Sequence, residues 1–208
     1  MNNKIDFSVY LVTDRNALKG KDLLASLEEA IAGGVGMVQL REKDMSSLEF
    51  YNMAIKVKEL TDRHDIPLII NDRIDIALTV GAAGVHLGQK DIPMAEARKI
   101  LGDEKIIGIS ARTIKEAKLA EKQGASYLGV GAMFPTSTKE DTVSVSLDLL
   151  KEIKRSVNIP VVGIGGINLE NIEKLEGTGI DGVAVVSAIL SANDVKKAAQ
   201  ELKKNLVK

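Results

Sequence analysis

Cysteine is absent from this chain. That removes disulfide frameworks, zinc–thiolate sites and cysteine nucleophiles together, and it is compatible with a reducing compartment. Aromatic residues make up only 3% of the sequence, too few for the stacking platforms that hold single-stranded nucleic acid. Charge of one sign is lacking as well. With 28 Lys+Arg against 29 Asp+Glu, no overall field points to nucleic acid or to an anionic membrane. No apolar run approaches bilayer length, and Met1 to Asp6 lacks the apolar core of a signal peptide. The expectation is a cytoplasmic protein that works on small molecules, with no nucleic-acid and no membrane partner. A length of 208 residues suits one domain, 1–208, with a sizeable core.

Glycine is plentiful, at 18 residues, and its placement is informative. Four stretches share one form: a helical run, a Gly, then a short apolar strand. They lead into Met37 to Leu40, Val85 to Leu87, Tyr127 to Val130 and Val183 to Val186. Gly supplies the left-handed residue that ends a helix. Between them lie Val9 to Val12, Leu68 to Ile70, Ile106 to Ile109 and Val161 to Ile164, two of which follow an Ile-Pro pair. The third strand leads into a helix on which Ile74, Ala77 and Leu78 are expected to share the buried face. Eight near-continuously apolar strands alternating with helical patterns predict a buried parallel sheet. Eight βα units in this length predict an α/β fold, a single-domain (β/α)8 TIM barrel. An open doubly wound sheet is the rival, but nothing marks an edge strand or a reversal of strand order.

A barrel puts chemistry at the C-terminal ends of its strands. Asp72 follows the third strand and Asp91 the fourth, so both carboxylates belong to one edge of the sheet. A pair of acids with room for water suits a magnesium ion that also holds phosphate oxygens. The alternative is that Asp72 and Asp91 merely cap the helices that follow. Gln39, Arg41 and Lys43 alternate beyond the second strand and make a cationic wall suited to a phosphate or pyrophosphate; a loop with Arg41 paired to Glu42 or Asp44 is the bland alternative. Gly165 and Gly166 after the seventh strand, with Val186 and Ser187 after the eighth, have the position of the phosphate cradle common in barrels. Thr136, Ser137, Thr138 and Lys139 follow the sixth strand, on a loop able to close over a second anion. His86, flanked by Val85 and Leu87, is either a core histidine or a base; His64 belongs to the surface. No nucleophile with a base beside it is evident, and no Lys sits inside a strand, which counts against Schiff-base chemistry. Two anion sites, one with a metal, suit the joining of two phosphorylated molecules or the loss of a diphosphate.

These residues resemble a family. Tyr10 to Asp14, Gln39 to Lys43, Ile70 to Arg73, Gly84 to Gln89 with Asp91, Gly108 to Ser110, Gly129 to Lys139 and Ile164 to Ile167 together look like thiamine phosphate synthase. The resemblance implies a barrel that joins 4-amino-2-methyl-5-hydroxymethylpyrimidine diphosphate to a thiazole phosphate and releases pyrophosphate. It implies that Asp72 and Asp91 hold Mg²⁺, and that Gln39, Arg41, Lys43, Asn71, Ser110 and Lys139 contact the pyrimidine diphosphate. It also implies that Thr136, Thr138, Gly166 and the Val186-Ser187 backbone hold the thiazole phosphate. Arg41, Ser110 and Lys139 are the residues expected to act on the reacting groups. The implied mechanism is dissociative: diphosphate departs, and the thiazole nitrogen attacks the cation left behind. Two positions depart from the family pattern. Gly131-Ala132-Met133-Phe134 stands where Gly-Pro-Ile/Val-Phe is common, and Glu140 where a second Lys often follows. A sister family, the thiazole tautomerase, shares Arg41-Glu42-Lys43 but carries a His where this chain has Ala132 or Met133, which favours the synthase. A tautomerase-like isomerase and a non-catalytic thiazole phosphate-binding barrel are the alternatives. Barrel helices often mediate homodimers, although no patch in the sequence singles one out.

Overall fold

The computed structural model describes residues 5–136 and 144–206. Thr138 and Lys139, with Ser137 and Glu140, lie outside the described residues. Eight strands form a closed barrel, each pairing in parallel with the next and the last with the first. They are β1 (Val9–Val12), β2 (Met37–Leu40), β3 (Leu68–Asn71), β4 (Gly84–Leu87), β5 (Ile106–Ala111), β6 (Tyr127–Val130), β7 (Val161–Ile164) and β8 (Gly182–Val185). The helices are α1 (Arg15–Leu18), α2 (Leu23–Ala32), α3 (Ser47–Arg63), α4 (Ile74–Thr79), α5 (Met94–Leu101), α6 (Ile114–Lys122), α7 (Leu147–Ser156), α8 (Ser187–Leu190) and α9 (Val195–Leu206). None of the described helices is long and apolar enough to cross a membrane.

Side chains alternate across each strand, so the barrel has two cores. Val9, Leu11, Val38, Leu40, Ile70 and Val85 point outward and pack beneath the helices. Tyr10, Val12, Met37, Ile69, Tyr127, Val162 and Ala184 point inward and fill the lumen. The helices present matching faces. On α3, Phe50, Ala54, Val57 and Leu60 are buried at helical spacing. Its first turn is fixed by reciprocal bonds: the Glu49 N–H donates to Ser46 Oγ at 3.3 Å, and the Ser46 N–H donates to Glu49 Oε2 at 2.9 Å. Thr113 and Glu116 cap α6 in the same way. Truncating a side chain as enclosed as Phe50 should cost about 3–5 kcal/mol.

The structure corrects three expectations. On α4 the buried residues are Ile74, Ile76 and Ala77, while Leu78 is 44% exposed. A helix this short rests on the barrel through one line of contact, and Ile76 takes the place expected of Leu78. The segment before β8 is a 3-10 turn, Ile172–Leu175, rather than an α-helix. β8 ends at Val185, one residue early, because Ser187 already begins α8 and Val186 is its cap.

Candidate active site

The carboxyl ends of the strands surround a cavity of about 160 Å³. A volume of this size accepts one small aromatic ring. Gln39, Asn71, His86 and Ser110 line one side, and Gly165, Gly166, Val186 and Ser187 the other, with Arg41, Arg112 and Thr136 between. Sequence reasoning missed Arg112. Its signal was the alternation that places residue 112 on the same face as Ser110, concealed because β5 runs on to Ala111 rather than stopping at Ile109.

The end of β1 builds the cationic wall. Thr13 Oγ1 accepts from the Arg41 N–H at 2.9 Å, and Asp14 Oδ2 accepts from Arg41 Nη1 at 3.2 Å. Asp14 also accepts the N–H groups of Asn16 and Ala17 at the start of α1, so it is itself anchored. Glu42 is engaged elsewhere, by Arg15 at 2.9 Å. Arg41 is thus held to Asp14, not to Glu42 or Asp44, with its guanidinium at the cavity. Lys43 lies farther out, with its Nζ 2.5 Å from Asp72 Oδ2.

Neither acid of the expected pair caps a helix. Residue 73 is the cap of α4 and makes no side-chain cap bond; Pro93 has the same position before α5. Asp72 has φ 61°, in the left-handed region, and its N–H donates to the His86 carbonyl at 3.0 Å. That conformation costs a non-glycine residue about 1 kcal/mol or more and is characteristic of functional sites. Asp91 Oδ2 accepts the Gly88 N–H at 2.6 Å, which curls the loop after β4 back toward the rim. Burial pushes the Asp91 carboxyl above its usual range. The Asp72 carboxylate beside it adds to the rise, while the Gly88 N–H and Lys43 oppose it. The donor set fits magnesium, which takes one or two protein carboxylates and leaves its other positions to water and phosphate oxygens. Among the described residues no group of three or more His, Cys, Asp or Glu is placed to hold a metal, so a cage of protein ligands alone is not what these residues build.

The opposite side is stitched between strands. The Met133 N–H donates to the Ile164 carbonyl and the Phe134 N–H to the Gly165 carbonyl, both at 3.0 Å. Asn171 Nδ2 holds the Gly166 carbonyl at 2.8 Å. Gly166 has φ 67°, and a Cβ there would stand 2.4 Å from the Pro135 carbonyl oxygen. Only glycine lets the two loops approach this closely.

The model of the thiamine monophosphate synthase family matches residues 9–189. The chain belongs to the thiamine monophosphate synthase family. Within that family, a thiamine-phosphate synthase of Clostridium tetani is 59% identical over 201 residues, covering 97% of this chain and 96% of the relative. Another from Clostridium beijerinckii is 55% identical, with both chains covered completely. The solved thiamine phosphate pyrophosphorylase of Pyrococcus furiosus superposes with a TM-score of 0.88 at 40% identity, covering 98% of this chain and 96% of that one. A match of this extent to the synthase family gives no support to a tautomerase or to a non-catalytic binding barrel.

Proposed function

We propose that this barrel mouth joins the pyrimidine diphosphate to the thiazole phosphate, giving thiamine phosphate and pyrophosphate. One observation carries the reading: Arg41, Lys43, Asp72 and Asp91 gather at neighbouring strand ends beside a cavity the size of one ring. The cavity takes the pyrimidine and the cationic wall takes its diphosphate. Asp72 and Asp91 would hold Mg²⁺, which when bound would neutralise charge growing on the departing diphosphate. Arg41 and Lys43 add donors for the diphosphate, an arrangement that stabilises a leaving group without a nucleophile. Asn71 and Ser110 line the cavity and orient the ring beside Gln39. Gly165, Gly166, Val186 and Ser187 hold the thiazole phosphate, with Thr136 on the adjoining loop. Thr138 and Lys139, outside the described residues, complete the loop in this reading.

Bond breaking comes first. The carbon–oxygen bond to the diphosphate opens, both electrons leave with the oxygen, and a pyrimidinylmethyl cation remains. The thiazole nitrogen then donates its lone pair to that carbon. The residues need to position two substrates and exclude water more than to move a proton, which fits a site with no in-strand Lys. The reading extends to a cytoplasmic enzyme of one barrel unit. The test of function is to supply magnesium and both substrates and to detect thiamine phosphate by mass. Its appearance, with at least a tenfold loss of turnover in Asp72→Ala and Asp91→Ala, is the expected result. Turnover of thiazole tautomers without any coupling would overturn the reading.

A further inference from the structure

Five polar side chains run in a line through the lumen. Gln39 Nε2 donates to the Tyr10 hydroxyl at 2.6 Å. The Tyr10 and Tyr127 hydroxyls are 2.8 Å apart, and the Tyr127 hydroxyl is 2.9 Å from His86 Nδ1. His86 Nε2 is 2.9 Å from Ser110 Oγ. The two ends, Gln39 and Ser110, line the cavity, and both tyrosines are buried beneath it.

The protons of this line can be counted. Three links separate Gln39 from His86 Nδ1, and each link takes one proton. The amide supplies the first. Tyr10 has accepted it, so its single proton passes to Tyr127, and the single proton of Tyr127 passes to the imidazole. Nδ1 is therefore the acceptor, and the proton of the neutral ring sits on Nε2, facing Ser110. Ser110 Oγ accepts it, which leaves the serine's own proton for the cavity. Burial raises both phenol groups well above their ordinary titration range, so each keeps its proton. The strands make room for the line. A Cβ on Gly108 would stand 2.1 Å from Tyr127 Cζ, and one on Gly129 would stand 3.0 Å from His86 Cε1. Neither glycine is at a turn; each is the floor on which a ring lies.

We propose that Gln39, Tyr10, Tyr127, His86 and Ser110 form a proton-ordered chain that fixes the hydrogen-bond polarity of the pocket. Ser110 is set as a donor toward an acceptor atom of the substrate. It cannot change sense unless the Gln39 amide turns over and every link reverses with it. Tyr10, Tyr127 and His86 are positioning residues that act through Ser110 and Gln39. Only the substrate's identity rests on the proposed function; the proton order rests on the chain itself.

The test reads His86 directly, from two-bond proton–nitrogen correlations of the ¹⁵N-labelled full-length protein. The chain has only two His, so His64→Gln assigns the signals. In the unmodified protein His86 should be the Nε2–H tautomer. In Gln39→Glu, read at about pH 9 where a carboxylate can only accept, it should become Nδ1–H. Nδ1–H in the unmodified protein, or a folded Gln39→Glu whose tautomer does not change, overturns the proposal. If Gln39→Glu does not fold, Tyr127→Phe serves, because it keeps the ring and cuts the chain. The tautomer should then become mixed, and an unchanged pure Nε2–H signal overturns the proposal. Tyr127→Phe should also lower kcat/KM for the pyrimidine diphosphate about five- to tenfold while leaving KM for the thiazole phosphate unchanged. If the unmodified protein does not couple the two substrates, the functional reading fails while the tautomer still decides the chain.

Discussion

Gly166 and Gly177 make a matched pair for testing how the two loops are joined. Both have left-handed backbones, with φ 67° and 71°. A Cβ on Gly177 would meet nothing within 4 Å, whereas one on Gly166 would stand 2.4 Å from the Pro135 carbonyl oxygen and 2.6 Å from that of Phe134. Gly177→Ala therefore carries only the conformational penalty, about 1 kcal/mol. Gly166→Ala carries that penalty and must also push backbone away, for a total of about 3 kcal/mol. For a chain of this length these values lower Tm by about 2–4 °C and 6–12 °C respectively. The segment displaced by Gly166→Ala leads to Thr136 and beyond it to Lys139. KM for thiazole phosphate should therefore rise about tenfold in Gly166→Ala and stay unchanged in Gly177→Ala. Thermal melts and steady-state kinetics on both variants decide the matter. Equal losses of Tm in the two, or an unaltered KM in Gly166→Ala, would refute the claim that glycine at 166 is required by the approach of the two loops.

Three further outcomes are expected. Arg41→Ala should lower kcat/KM about a hundredfold by removing a charged contact to the leaving group, and Arg41→Lys should recover only part of it, because the planar fork is lost; steady-state kinetics check both. Asp91 sits above its ordinary range in the folded state. The folded protein then binds more protons than the unfolded chain from about pH 4 upward, and magnesium-free stability falls as pH rises through that window. Asp91→Asn should flatten that fall and raise magnesium-free Tm at neutral pH by about 1–2 °C, a small gain because the group is partly solvated, while abolishing the magnesium response in melting scans. Lys139→Ala should slow coupling about tenfold, as measured by product formation, and unchanged turnover would leave that Lys a surface residue.

The barrel was legible because its signal is local. Each strand is a short apolar run, and a Gly closes the helix before four of them, so the strand limits fall within a residue or two over most of the chain. The candidate site was legible in part for the same reason: Gln39 lies in β2, Arg41 and Asp72 directly follow β2 and β3, and Asp91 belongs to the short loop after β4. What could not be read depends on register between distant segments. Tyr10 and Tyr127 meet across a separation of 117 residues, and each looks in sequence like one more apolar strand position. The pairing of Arg41 with Asp14, and of Glu42 with Arg15, is likewise set by how β1 and β2 align. Leu78 was misplaced because a helix of six residues shows too little periodicity to say which edge of its face is buried.

The most direct test of the central claim is release of pyrophosphate from the pyrimidine diphosphate, followed with magnesium present, with and without thiazole phosphate. The gathering of Arg41, Lys43, Asp72 and Asp91 beside a ring-sized cavity predicts rapid release when thiazole phosphate is present, matched one to one by thiamine phosphate. It predicts slow release without it, and loss of both in Asp72→Ala. Release that ignores thiazole phosphate, or none with both substrates and magnesium supplied, would contradict the account.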